Sequence, residues 1–126
     1  MHKASTMKSL LIIISQSPLA GQNLLESLSA TMVMATYGVQ IKILFTGDAI
    51  ALLRHPNNSQ KNTEIRPFKS AFALVESFEF YDLLPIWIDA KNIDENKVWL
   101  EKTMIEHEVI DLNAQVLASF DGVLRW

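Results

Sequence analysis

Cysteine is missing from all 126 positions of the chain. Disulfides, iron–sulfur ligation, thiolate metal sites and cysteine nucleophiles are therefore closed to the chain acting alone. A surplus of positive charge is missing too. Eleven Lys and Arg stand against fourteen Asp and Glu, a net charge of −3. A duplex-binding module draws its affinity from a basic face that neutralises phosphates, so direct nucleic-acid binding by the chain alone is not expected. No apolar run reaches the length that crosses a bilayer. Leu10–Ile14 follows two lysines but stops at Ser15-Gln16-Ser17-Pro18, which is too soon for a signal-peptide core. A buried strand is the better reading of that run, and the expected setting is the cytoplasm, with no membrane partner.

What is present is a globular mixture, 49% hydrophobic and 20% charged. The length fits one domain over 1–126, with 1–7 as a flexible tail. Arg54–Pro67 is polar, rich in Asn and bounded by prolines, and reads as a mobile loop.

Elsewhere strand and helix alternate. Leu10–Ile14 is apolar throughout, as in a strand buried on both faces of a parallel sheet. Asn23–Tyr37 carries Leu24, Leu25, Leu28, Met32 and Ala35 at helical spacing, and Gly38 follows where a helix terminus favours a left-handed residue. Val39–Phe45 alternates apolar residues with Gln40 and Lys42, which predicts a half-exposed strand at an edge. Gly47-Asp48 turns into a short helix, Ala49–Leu53. Phe68–Tyr81 reads as a long helix whose apolar bulk is Phe72, Val75, Phe78 and Phe80. Then come a strand at Ile86–Ile88, a short helix at Asn92–Leu100, a weak strand around Thr103–Glu106, a helix at Val109–Ser119 and a terminal strand at Val123–Trp126. Strands spaced by helices in this way predict a three-layer α/β/α fold with a mainly parallel sheet of about five strands.

In such a sheet ligands bind beyond the carboxyl ends of the strands. Three loops fall there: Ser15–Gly21, Thr46–Asp48 and Asp89–Asn92. Ser15 and Ser17 precede a helix start, as in a phosphate cradle. Yet neither G-x-G-x-x-G nor a P-loop is present, and Pro18 lacks the N–H that a cradle would use. Serines bonding local backbone in a structural turn are the simpler reading. Asp48 stands at the same edge, where capping of the following helix is the plain alternative to a ligand-facing carboxylate. Asp89 ends a strand as a receiver-domain aspartate would, but Ser15-Gln16 offers no acidic pair for Mg²⁺. His2, His55 and His107 show no metal-ligand spacing, and Ser15 lacks the G-x-S-x-G elbow. Trp87 reads as core, whereas Phe120 and Trp126 fit core or interface equally. No catalytic residue, metal site or cofactor is expected.

The order of segments resembles a known family. An apolar strand near Leu10 leads to a helix ending at Gly38, then to Phe45-Thr46-Gly47-Asp48-Ala49 and Leu52-Leu53. Phe68-Lys69-Ser70-Ala71, Phe80-Tyr81-Asp82-Leu83 and Ile86-Trp87-Ile88 follow, and the chain closes on Ala118-Ser119-Phe120-Asp121-Gly122-Val123-Leu124-Arg125-Trp126. From about Lys8 to Trp126 this is similar to the DsrE/DsrF/DsrH sulfur-relay family, and within it to the DsrF/TusC branch. The resemblance implies a DsrE-like three-layer fold. It also implies a cytoplasmic hetero-oligomer with DsrE/TusD-like and DsrH/TusB-like sister subunits, passing persulfide sulfur toward 2-thiolation of the tRNA wobble uridine. In that family the principal sulfur-carrying cysteine belongs to the DsrE/TusD subunit, near the end of the strand corresponding to Ile86–Ile88. Here Asp89 stands at that place, and a carboxylate cannot form a persulfide. A non-catalytic structural subunit is the function expected. The alternatives are a free-standing DsrE-like oligomer, a DsrF-type subunit of sulfur oxidation, or a small-ligand or nucleotide-binding protein using Ser15, Ser17 and Asp48.

Overall fold

The computed structural model describes residues 8–17, 21–53 and 66–126. The expected tail at 1–7 and residues 54–65 of the expected loop lie outside the described residues. Five strands form one sheet: β1 (Ser9–Ile14), β2 (Gln40–Phe45), β3 (Ile86–Asp89), β4 (His107–Ile110) and β5 (Gly122–Arg125). Four α-helices connect them: α1 (Gln22–Ala35), α2 (Arg66–Glu76), α3 (Ile93–Lys102) and α4 (Ala114–Ala118). Short 3-10 helices lie at Gly47–Leu53, Ser77–Tyr81 and Ala90–Asn92. All four strand pairings are parallel, in the order β4-β3-β2-β1-β5.

This order sets where the helices go. The chain steps β1, β2, β3, β4 in one direction, so right-handed crossovers put α1, α2 and α3 on one face. It then returns past β1 to make β5, which puts α4 on the other face. The core divides accordingly. Leu10, Ile12 and Ile14 of β1, Ile41, Ile43 and Phe45 of β2, and Ile86 and Ile88 of β3 pack with Leu24, Leu28, Phe72, Val75 and Phe78. On the opposite face Leu11, Ile13 and Leu44 form a much smaller cluster against Leu112, Leu117, Phe120, Val123 and Trp87. One five-residue helix cannot cover five strands, so this second layer is thin.

Several local expectations change. β2 is the middle strand, paired on both sides, and not an edge. Gln40 and Lys42 are polar because they lie on the thinly covered face, not because a neighbouring strand is missing. The predicted helix over Phe68–Tyr81 begins at Arg66, with Pro67 in its first turn where no backbone donor is needed, so Arg66 and Pro67 belong to α2 and not to the loop. Its last turn is 3-10 and ends at Asp82 in the left-handed region (φ 61°). Phe80 is 81% exposed and adds nothing to the core. The fourth strand is His107–Ile110, beyond the predicted Thr103–Glu106. Consequently the last helix shrinks from Val109–Ser119 to Ala114–Ala118, started by Asn113, whose side chain accepts from Val116 N–H at 3.0 Å.

Asp121 fastens β5 to β1. Its Oδ2 accepts from the backbone N–H of Lys8 (2.8 Å) and Ser9 (3.0 Å), while its own N–H donates to Ser9 Oγ (3.0 Å). These bonds to the anionic form hold the carboxyl below the ordinary aspartate value of 3.8. Among the described residues no helix is long and apolar enough to cross a membrane.

Candidate functional site

The carboxyl ends of the strands carry two hydrogen-bonded groups of side chains, and Thr46 N–H donates to the Ile14 carbonyl at 3.0 Å between the two strand ends. At the β2–β3 side, Phe45 ends its strand and Thr46 turns out of the sheet. Asp89 ends β3 one strand away and is 4% exposed. The Thr46 hydroxyl faces two acceptors, Asp89 Oδ2 at 2.9 Å and Asn92 Oδ1 at 3.0 Å, with one proton to give. Asn92 Oδ1 also accepts from Gly47 N–H at 3.0 Å, and its amide donates to Glu95. Asp89 Oδ1 accepts from Lys91 N–H at 3.2 Å, capping the 3-10 turn that follows, and Lys91 Nζ lies 3.7 Å from Oδ2. The buried carboxylate is thus surrounded by three donors that organise local chain. It is built as a latch between the β2 and β3 turns.

Asp89 also lies beside the topological switch point. The chain leaves β3 toward the α1–α3 face and leaves β4 toward the α4 face, and Asp89 pairs with Ile110 across that divide. A ligand crevice is expected at such a point.

At the β1–β5 side, Ser15 is exposed. Its N–H (2.8 Å) and its hydroxyl (3.2 Å) both donate to the Trp126 carbonyl, extending the β1–β5 ladder by one step. The hydroxyl therefore bonds a carbonyl 111 residues away, not the local backbone expected of a turn serine. Ser17 is partly buried. Gln16 donates to Ser27 Oγ at 3.2 Å, and its buried Oε1 has no hydrogen-bond partner. Gln16, Asn23, Glu26, Ser27 and Trp126 line an open groove of about 520 Å³ beside α1.

Asp48 joins neither group. It is exposed, inside the first turn of the Gly47–Leu53 helix rather than before it, so its side chain is not the cap expected from sequence. Its charge still suits the positive end of that turn. Thr46 and Asn92 are the residues that sequence reasoning passed over, although both of their loops had been singled out. His107 is partly buried, with Nδ1 3.0 Å from the Ile105 carbonyl. Among the described residues no three His, Cys, Asp or Glu side chains gather as a metal site.

No protein-family model and no curated protein matches the chain by sequence. The crystal structure of the ychN protein from E. coli is similar in fold, with a TM-score of 0.67 and 14% identity over 95% of this chain and 100% of the other. The match supports the three-layer α/β/α architecture with its parallel sheet. At that identity it shows the fold alone.

Proposed function

We propose that the chain is a non-catalytic structural subunit of a sulfur-relay complex of the DsrF/TusC kind. It would assemble with DsrE/TusD-like and DsrH/TusB-like sisters and support 2-thiolation of the tRNA wobble uridine. The observation that carries this reading is Asp89. At the strand end where the resemblance puts a sister's sulfur-carrying cysteine, this cysteine-free chain has a buried carboxylate committed to a latch. Persulfide relay needs a thiolate that attacks a donor sulfur and holds it in a bond weak enough to surrender. A carboxylate only accepts hydrogen bonds here.

Exposed Tyr37, Phe80, Val98 and Met104 supply the apolar surface that subunit contact buries. The test is reconstitution with both sisters and a labelled persulfide donor, followed by intact mass. Label is expected on a cysteine-bearing sister and never on this chain. A monomer in sedimentation that ignores both sisters would overturn the reading. A chain that self-associates while ignoring them would instead support a free-standing DsrE-like oligomer.

A further inference from the structure

The latch and the strand-end loops leave one feature unused, at the opposite edge of the sheet. A groove of about 510 Å³ opens at the amino ends of β1, β2 and β3 and runs up the thin face. Trp87 forms its inner wall and is held from two sides. Its ring meets Phe120 edge to face, 5.9 Å between centroids at 77°, and its Nε1 donates to Glu108 at 3.3 Å. Lys42 lies against the same ring with Nζ 5.2 Å from the centroid, so this cation–π position is already filled from within. Nearer to solvent, Tyr81 and Asp82 line the groove and are both exposed, and Phe80 beside them is 81% exposed. The charges do not balance. Glu108, Asp82 and Glu106 all act on Lys42, three carboxylates on one ammonium. Among the described residues the one ion pair is Lys91–Asp89, so none of the three is neutralised by a close cation. The groove is therefore negative, and its field draws positive charge.

We propose that this groove docks an arginine side chain of a partner protein, its guanidinium stacked on Tyr81 and paired with Asp82, and the flanking residues of that segment resting on Phe80. Charge complementarity selects a cation, and the ring selects among cations. A guanidinium is planar and weakly hydrated, stacks on an aromatic face and bonds a carboxylate through two parallel N–H groups. An ammonium is a compact, strongly hydrated point charge and gains less from either neighbour. Lys42 opposes a second cation, but the carboxylates outnumber it. Phe80 gives the rest of the segment an apolar surface to cover, and arginine against aromatic rings is the pairing that protein interfaces favour. The proposal names the chemistry of a docking segment and does not depend on the sulfur-relay reading. Its failure leaves assembly with the sisters standing, and failure of that assembly leaves this surface standing.

Titration of the chain with a capped pentapeptide, one arginine between leucines, followed by amide chemical shifts, tests it. Saturable binding with a dissociation constant on the order of 1 mM is expected for so short a segment. Shifts should centre on Tyr81, Asp82 and Trp87. The same peptide with citrulline, which has the shape of arginine without its charge, should bind at least about fivefold more weakly. A lysine peptide should bind about threefold more weakly than the arginine one. Asp82→Asn keeps a side chain that tolerates the left-handed backbone at this position and should lose about fivefold. Should that variant fail to fold, the comparison of arginine with citrulline on the natural chain still decides. Equal binding of the arginine and citrulline peptides, a lysine peptide that binds as tightly as arginine, unchanged binding to a folded Asp82→Asn variant, or shifts confined to the strand-end loops would each overturn the proposal. Absence of saturation at about ten times the expected constant would do the same.

Discussion

Replacing Asp89 with alanine removes the acceptor for Lys91 N–H, one of two acceptors for the Thr46 hydroxyl and the partner of Lys91 Nζ. The three losses are unequal. Loss of an N-terminal cap costs about 0.5–2 kcal/mol. Thr46 is not orphaned, because Asn92 Oδ1 waits 3.0 Å away, so the full penalty of a buried unpaired donor does not arise. The Lys91 side chain is 75% exposed, and its ion pair adds well under about 1 kcal/mol. Together these give about 1–2 kcal/mol for Asp89→Ala. Asp89→Asn keeps the shape and the cap and should cost below about 1 kcal/mol.

Urea denaturation checks both, with the midpoint falling by about 0.5–1 M for alanine at unchanged slope. In the reconstituted complex, sulfur transfer by the sisters should continue. A loss beyond about 4 kcal/mol would show that Thr46 cannot switch acceptors, and so refute the argument from Asn92. No loss at all would mean the latch bonds carry no energy. Abolished transfer in an assembled Asp89→Ala complex would give Asp89 an active part and sink the structural-subunit reading.

Other perturbations follow from the two layers of core and from Asp121. Phe45→Ala, at a fully buried position in the thick layer, should cost about 3–5 kcal/mol by chemical denaturation, whereas Leu124→Ala, at 36% exposure on β5, should cost under about 1 kcal/mol. Asp121 has a folded-state pKa below its unfolded value, so its bonds to Lys8 and Ser9 stabilise the fold above pH 3.8 and lose that effect as pH falls through the lower folded value. The gap in Tm between the natural chain and Asp121→Asn should therefore be open at neutral pH and close in acid; a gap that does not change with pH refutes the linkage. Sedimentation at micromolar concentration with both sisters present should show the chain in an assembly, and a monomer would contradict it.

Much of the architecture was legible because burial on two faces leaves a mark. Leu10–Ile14 has no polar residue to spend on solvent, and it is the strand flanked by β2 and β5. The alternation of β2 was also read correctly as one wet face. Its place in the sheet was not, because a polar residue reports missing cover, and a thin layer and a missing neighbour remove cover alike. β4 was displaced because Glu106, His107 and Glu108 pair through backbone atoms at an edge, where side chains carry no hydrophobic signal. At the candidate site, the loops were visible from strand–helix boundaries, and Asp89 stood out as the residue that ends a strand. That Thr46 reaches Asp89 and Asn92, 43 and 46 residues away, depends on strand order, which no local pattern encodes.

The return of the chain from β4 past β1 has a consequence for how the molecule comes together. β5 joins β1 through bonds that span more than a hundred residues, such as Lys8 to Asp121 at a separation of 113. Such contacts are made late, since the entropy of closing the loop must be overcome before they reward it. A chain that has already paired β1 through β4 holds α1, α2 and α3 on one face, while Leu11, Ile13, Leu44 and Trp87 on the other stand bare until α4 arrives. During that interval the middle of a parallel sheet is open to other chains, together with the free edge of β1. Aggregation during refolding should therefore start from this half-clothed species, and slowing the arrival of α4 and β5 should worsen it.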